Sequence, residues 1–200
     1  MKSLKETKNL VVAALMCALT CVSTMIIQIP TPGLGYIHPG DGMVLLSGIL
    51  LGPFLGALAA GIGSMLADLF TGYVIYAIPT LIIKGCTAWI ASAVFHSLCS
   101  HRKAKAAVYH QRTLQTPYLI LAGILAELQM AAGYFIYKIV LTMASASGFT
   151  LQTFHAGLAG ALADIPSSMI QGASGIVICT ALFPVLTKVP DLYRIRNLDS

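Results

Sequence analysis

The chain has 200 residues and a mass of 21.1 kDa, about the size of one domain. Apolar residues make up 57% of it and charged residues only 10%, whereas soluble domains carry about 25% charged residues, and the mean hydropathy is +0.83. This balance excludes a soluble enzyme and a disordered chain. The net charge of +5 reflects a shortage of acids rather than a dense basic surface, so a nucleic-acid binder is not favoured either. We predict a polytopic α-helical membrane protein.

Ten of the twelve basic residues fall into three clusters, and only Lys84 and Lys138 lie inside apolar stretches. By the positive-inside rule the three clusters face the cytoplasm. Both termini are then cytoplasmic, and an even number of spans separates each terminus from the middle cluster. The clusters are Lys2, Lys5 and Lys8; Arg102, Lys103, Lys105 and Arg112; and Lys188, Arg194 and Arg196.

Six apolar segments satisfy this parity, although the second is short and Gly52-Pro53 separates it from the third. If the short segment were a loop, the parity would fail, so we expect a short helix that is tilted or sheltered by its neighbours. The prediction is an all-α bundle of six transmembrane helices that forms a single domain over residues 1–200. The spans are 9–29, 43–51, 54–70, 74–99, 117–143 and 157–187.

Small residues recur at helical spacing in two places. Gly48, Gly52 and Gly56 form one series, for which packing inside the bundle is the favoured interpretation. Ala14 and Ala18 stand one turn apart in the first span, and no polar residue interrupts their face. We interpret this second face as a docking surface for another membrane protein.

The segment between the first two spans, residues 31–41, contains two prolines, three glycines, His38 and Asp41. It is longer than a connection between adjacent helices requires. One hypothesis is a lid that becomes ordered over a bound ligand; the alternative is a plain connector.

Charged residues inside a membrane are costly and therefore mark candidate functional sites. The predicted topology places most of them in the outer half of the bundle, where they suit a polar small molecule. The alternative is simple ion pairing, for example of Lys84 with Asp68 or Asp164. The candidate ligand-binding residues are His38, Asp41, Asp68, Lys84, Glu127, Tyr134, Lys138, Asp164 and Gln171.

The sequence offers no reaction chemistry. Motifs of metalloproteases, serine hydrolases and P-loop ATPases are absent, and the five cysteines form no paired metal-binding pattern, so we expect no ATPase activity, metal or cofactor. A binding subunit that draws energy from partners fits best. The alternatives are a small stand-alone carrier or channel with Asp68, Glu127 and Asp164 as a proton relay, and an integral-membrane enzyme.

The order of several short motifs resembles the S component, the substrate-binding subunit, of energy-coupling factor (ECF) vitamin transporters. The resemblance covers roughly residues 8–187 and is greatest to the branch with riboflavin-, hydroxymethylpyrimidine- and pyridoxine-type subunits. It rests on Gly40-Asp41-Gly42, residues 51–63 (LGPFLGALAAGIG), Ala67-Asp68-Leu69, residues 79–85 (PTLIIKG) and Gly133-Tyr134-Phe135.

The resemblance implies a six-helix protein of the plasma membrane, expected in a bacterium, that binds a vitamin from outside. It also implies docking through Ala14 and Ala18 on a membrane T component, which joins two cytoplasmic ATPase subunits. Lys138 stands where this branch suggests an acid, and a lysine there favours a more electron-rich or anionic ligand. The charge-rich outer set favours a hydroxymethylpyrimidine- or pyridoxine-like ligand, with riboflavin next.

Overall fold

The structure is a computed structural model that describes residues 2–30, 36–103, 115–146 and 149–188. Among these residues it contains seven helices and one short hairpin. The elements are α1 (Lys2–Ile26), β1 (Ile29–Pro30), β2 (Tyr36–Ile37), α2 (Asp41–Leu51), α3 (Pro53–Phe70), α4 (Val74–Lys103), α5 (Thr116–Ser145), α6 (Leu151–Ala163) and α7 (Ile165–Leu186). The predicted all-α membrane bundle is confirmed.

Among the described residues, five apolar helical segments are long enough to cross a bilayer, and the last comprises both α6 and α7, from Leu151 to Leu186. The sixth predicted span therefore begins earlier than expected and is broken at Asp164. The break follows from Pro166 in the first turn of α7, because proline has no N–H to continue the hydrogen-bond ladder of the preceding helix. It places a carboxyl group at a helix junction inside the bundle.

The short helix α2 is the centre of the bundle. It packs against α1, α3, α4 and α7, and all eleven of its residues are buried. At a rise of about 1.5 Å per residue it spans about half of the hydrocarbon thickness. Because its neighbours cover it, neither the helix nor its polar first residue, Asp41, is exposed to lipid.

Glycines permit the close approach of α2 to its neighbours. A Cβ atom on Gly48 would overlap the carbonyl oxygen of Ala88 in α4, and one on Gly56 would lie 2.6 Å from the Cα of Gly48. Gly52 joins α2 to α3 with a φ of 83°, a conformation that L side chains rarely adopt. The predicted internal packing of this glycine series is confirmed.

The ends of the first loop pair as an antiparallel ribbon, with Ile29 opposite Ile37 and Pro30 opposite Tyr36. Residues 31–35 lie outside the described residues, so the lid hypothesis for residues 31–41 stays a prediction. Among the predicted basic residues, Lys105, Arg112, Arg194 and Arg196 also lie outside them. The cytoplasmic position of the termini likewise stays a prediction.

Candidate ligand-binding pocket

One pocket collects side chains from almost every element at a single end of the bundle. The end of α1, β2, the second half of α3, the start of α4, the second half of α5 and the α6–α7 junction all contribute. Six of the nine predicted ligand-binding residues line it: His38, Asp68, Tyr134, Lys138, Asp164 and Gln171. The other three, Asp41, Lys84 and Glu127, are buried at 0%, 0% and 6% exposure and do not line it.

Lys84 and Asp41 form a fully buried ion pair between α4 and the first residue of α2. The predicted ion pairing of buried charges therefore occurs, but the partner of Lys84 is neither Asp68 nor Asp164, the two examples that the sequence suggested. The second oxygen of Asp41 accepts a hydrogen bond from Nε2 of Gln171 at 2.8 Å, and Lys84 Nζ lies 2.9 Å from the sulfur of Met130. Asp41 was expected in the outer loop, but it begins a helix and faces the interior, where Lys84 compensates its charge.

Glu127 lies beside this pair. Neither of its carboxyl oxygens has a hydrogen-bond donor in the part of the chain that the structure describes. Glycines on α7 make room for the two acids, since a Cβ atom on Gly175 would lie 2.7 Å from Cβ of Asp41 and 3.3 Å from Oε1 of Glu127. Lys84 is thus a single buried cation beside two carboxyl groups, those of Asp41 and Glu127.

The two acids of the pocket wall each retain an unsatisfied oxygen. Asp68 accepts a 2.6 Å hydrogen bond from the hydroxyl of Tyr36 through Oδ1, and Asp164 forms an ion pair with Lys138 through Oδ2. Asp68 Oδ2 and Asp164 Oδ1 are buried without a hydrogen-bond partner among the described residues. Buried acceptors without donors are costly, so this wall is suited to a ligand that brings hydrogen-bond donors.

His38 also lines the pocket and carries a hydrogen-bond donor. Its Nδ1 accepts the N–H of Gly40 at 3.2 Å, so in the neutral ring the proton lies on Nε2. Burial lowers the pKa of His38 to about 4, and Lys84 adds to this effect while Asp41 opposes it. The ring is therefore neutral at physiological pH and presents an N–H donor.

Aromatic rings complete the pocket, and the sequence analysis missed most of them. Tyr36, Tyr73 and Tyr76 line it together with Tyr134 and Phe135, and the rings of Tyr36 and Tyr73 lie 4.6 Å apart. Burial and the hydrogen bond to Asp68 raise the pKa of Tyr36, so its hydroxyl remains a donor. Tyr73 and Tyr76 follow Asp68 closely in the sequence, and that proximity was the available signal.

The predicted docking residues lie on a different surface. Ala14 and Ala18 are exposed on α1, whereas Met16, Thr20 and Thr24 on the opposite side of the helix are buried. Leu15, Leu19 and Val22 extend the exposed face. The surface is apolar and made partly of small side chains, as close packing of two membrane helices requires.

A bundle of membrane-spanning helices with a polar, aromatic-lined pocket at one end defines a membrane protein that binds a small molecule. The family described as ECF-type riboflavin transporter, S component, matches residues 4–188. The chain belongs to this family, and it is accordingly the substrate-binding subunit of a vitamin transporter, located in the membrane. Its family is one of transporters rather than enzymes.

Three individual proteins are similar to this chain. A Pyrococcus woesei protein described as an uncharacterized protein in the gap 3' region is 31% identical over 168 residues, which cover 84% of this chain and 93% of that protein. The structure of an S component of a bacterial ECF transporter has a TM-score of 0.59 at 20% identity, over 92% of this chain and 97% of that one. ThiT of Listeria monocytogenes has a TM-score of 0.55 at 17% identity, with the same coverage. These two structures show the fold.

Proposed function

We propose that the chain binds a small basic heteroaromatic ring of the hydroxymethylpyrimidine or pyridoxine type, with riboflavin as the second choice. The proposal rests on the oxygens of Asp68 and Asp164 that have no hydrogen-bond partner among the described residues. A ring nitrogen that accepts a proton, or an amino or hydroxymethyl group beside it, supplies the donors that these oxygens lack. The flavin ring system is far less basic, so a carboxylate gains less from it.

The charge balance of the pocket supports the same choice. Lys138 is already compensated by Asp164, so its presence does not demand an anionic ligand. Asp68 is the lining acid without a basic partner among the described residues, and Tyr36 provides only a neutral donor. The tyrosines offer faces on which a planar ring stacks and which attract positive charge.

Calorimetric titration of the purified protein with the three compounds tests this choice. Hydroxymethylpyrimidine or pyridoxine is expected to bind at least tenfold more tightly than riboflavin, and Asp68→Asn is expected to weaken that binding at least tenfold. Tyr137→Phe is the control, because Tyr137 donates to the backbone of Ile75 and does not line the pocket. Tighter binding of riboflavin than of both smaller rings would overturn the proposed substrate.

We further propose that the exposed face of Ala14 and Ala18 docks on a membrane T component that joins two cytoplasmic ATPase subunits. The exposure of both alanines and the family assignment support this arrangement. The basic clusters adjoin the start of α1 and the end of α4, opposite the pocket end of these helices. Under the positive-inside rule the pocket then opens to the outside, where an import subunit collects its substrate.

A further inference from the structure

Gln171 is the point at which the buried ion pair meets the pocket. It lines the pocket, whereas Asp41 and Lys84 are completely buried beneath it. Both hydrogen-bond contacts of its amide run through Nε2, to Asp41 Oδ2 at 2.8 Å and to the sulfur of Met130 at 3.7 Å. The carbonyl oxygen Oε1 is therefore the polar atom of this side chain that is left for a ligand.

The two groups that the amide contacts, Asp41 and Met130, favour this orientation because both are acceptors. The ammonium of Lys84 keeps Asp41 a carboxylate, which accepts hydrogen bonds but donates none. The thioether of Met130 is also only an acceptor. Turning the amide over would place Oε1 against Oδ2 of Asp41, so that two acceptors face each other in a buried site with no donor between them, which is unfavourable.

We propose that Gln171 sets the donor–acceptor specificity of the pocket floor, and that Lys84 and Asp41 act as positioning residues by fixing its amide with Nε2 inward and Oε1 toward the ligand. This position then accepts a hydrogen bond from a ligand N–H or O–H and rejects a ligand that presents a lone pair there. The inference rests on the proposed function for the identity of its probe ligands, but the orientation of the amide does not depend on any ligand.

A measurement without ligand tests the orientation. In protein labelled with nitrogen-15, the side-chain amide protons of Gln171 are expected to exchange with solvent at least 100-fold more slowly than those of Gln152, which is exposed at the start of α6. The signal is identified by its loss in Gln171→Met. In the double variant Asp41→Asn/Lys84→Met, which removes both buried charges together, the protection is expected to fall at least tenfold. Exchange of Gln171 as fast as that of Gln152 in the wild type would overturn the proposal.

A pair of ligands tests the specificity. The probes are 4-amino-5-hydroxymethyl-2-methylpyrimidine and its 4-oxo analogue, which exchange donor and acceptor at two adjacent ring positions. The wild type is expected to prefer the amino compound at least tenfold, and this preference is expected to fall below threefold in Gln171→Met and in the double variant. Gln129→Met, which removes a glutamine held by Thr87 outside the pocket, should keep the wild-type preference.

The outcomes separate this inference from the proposed function. Wild-type protein that binds both probes equally well, or a double variant that retains the tenfold preference, contradicts the specificity role of Gln171. Wild-type protein that binds neither probe contradicts the hydroxymethylpyrimidine form of the proposed substrate, and the exchange measurement then decides the orientation by itself.

Discussion

At the scale of single residues, two completely buried charges, Lys84 and Asp41, contact the candidate pocket through Gln171. Lys84 and Asp41 join the middle of α4 to the first residue of α2, and neither side chain has any exposed surface. Such a pair contributes little net stability compared with apolar residues, but its disruption is costly because one charge stays buried alone. The sequence identified both residues as site candidates, whereas their contact could not be read from it.

Lys84→Met is expected to lower the free energy of unfolding by about 3–5 kcal/mol, because Asp41 loses its counter-charge in the interior. It should also weaken ligand binding at least tenfold, about 1.4 kcal/mol, since Asp41, the hydrogen-bond partner of Gln171, loses the ion pair that holds it in place. Asp41→Asn/Lys84→Met removes both charges and should recover most of the stability. Thermal unfolding in detergent measures the difference, and equal melting temperatures for the wild type and Lys84→Met would contradict it.

His38 makes stability depend on pH. Its pKa is about 4 in the folded protein, because burial disfavours the charged ring, against an ordinary value of 6.5. The unfolded chain therefore binds the proton first as the pH falls, so stability is expected to decrease between about pH 6.5 and 4, by about 3 kcal/mol in total. Stability curves of the wild type and His38→Asn over this range measure the effect.

His38→Asn is itself the control for other groups that titrate over this pH range. The asparagine side chain in His38→Asn would keep an acceptor for the N–H of Gly40 but would not titrate, so acids elsewhere affect both proteins equally. A wild-type curve parallel to that of His38→Asn would show that the ring is not buried in its neutral form.

At the scale of elements, several helices together enclose the pocket, and α1 in addition exposes the apolar face that carries Ala14 and Ala18. Glycines allow α2, α3 and α4 to pack closely. The small residues Ala14 and Ala18 on α1 are instead exposed. Periodicity and composition predicted the helices well, since an apolar helix is a local property of the chain. They could not place the break between α6 and α7 at Asp164, because Pro166 occupies a position that either kinks a helix or begins one.

Ala14→Trp/Ala18→Trp is expected to abolish assembly with the T component and uptake, while ligand affinity stays within twofold. Two indole rings on this face prevent the close approach of a second helix backbone. Ala93→Trp is the matched control, since Ala93 is also exposed, on α4, and lies outside the proposed docking face. Copurification of the double variant with its partners at wild-type yield would contradict the docking proposal.

At the scale of the whole molecule, the chain combines a candidate ligand pocket with a sequence that contains no P-loop signature of the form GxxxxGK[ST]. As an S component it belongs to a transporter that contains further subunits. This division of labour distinguishes it from a stand-alone carrier that would use Asp68, Glu127 and Asp164 as a relay. The three acids do not form one chain of hydrogen bonds among the described residues, since Asp68 bonds to Tyr36 and Asp164 pairs with Lys138.

Transport assays in proteoliposomes distinguish an S component from a stand-alone carrier. Purified chain alone is expected to bind labelled ligand in a ratio near one and to accumulate none in the lumen. Addition of the T component and both ATPases with ATP should give many turnovers. A proton gradient that drives accumulation by the chain alone would establish the carrier instead, and Asp68→Asn would then be expected to abolish the gradient-driven uptake.

Local properties of the chain were enough to predict the membrane class and to single out the polar residues that lie inside apolar segments. The span bounds followed less well, since residue 29, the predicted end of the first span, lies in β1 and the sixth span begins at Leu151 rather than at 157. Composition, the length of each hydrophobic segment and the cost of burying charge all act along the sequence, so they can be read without knowing the fold.

Which charges meet depends instead on how the helices pack. Lys84 pairs with Asp41, 43 positions away, and Gln171 joins them from 130 positions away, because α2 inserts its N-terminus between α4 and α7. The position of the tyrosines in the pocket likewise could not be predicted, since an aromatic residue near the end of a membrane helix is also common at the lipid interface. Asp68 and Asp164, which are 96 positions apart in the sequence, line the same pocket as these tyrosines because the helices pack in this way.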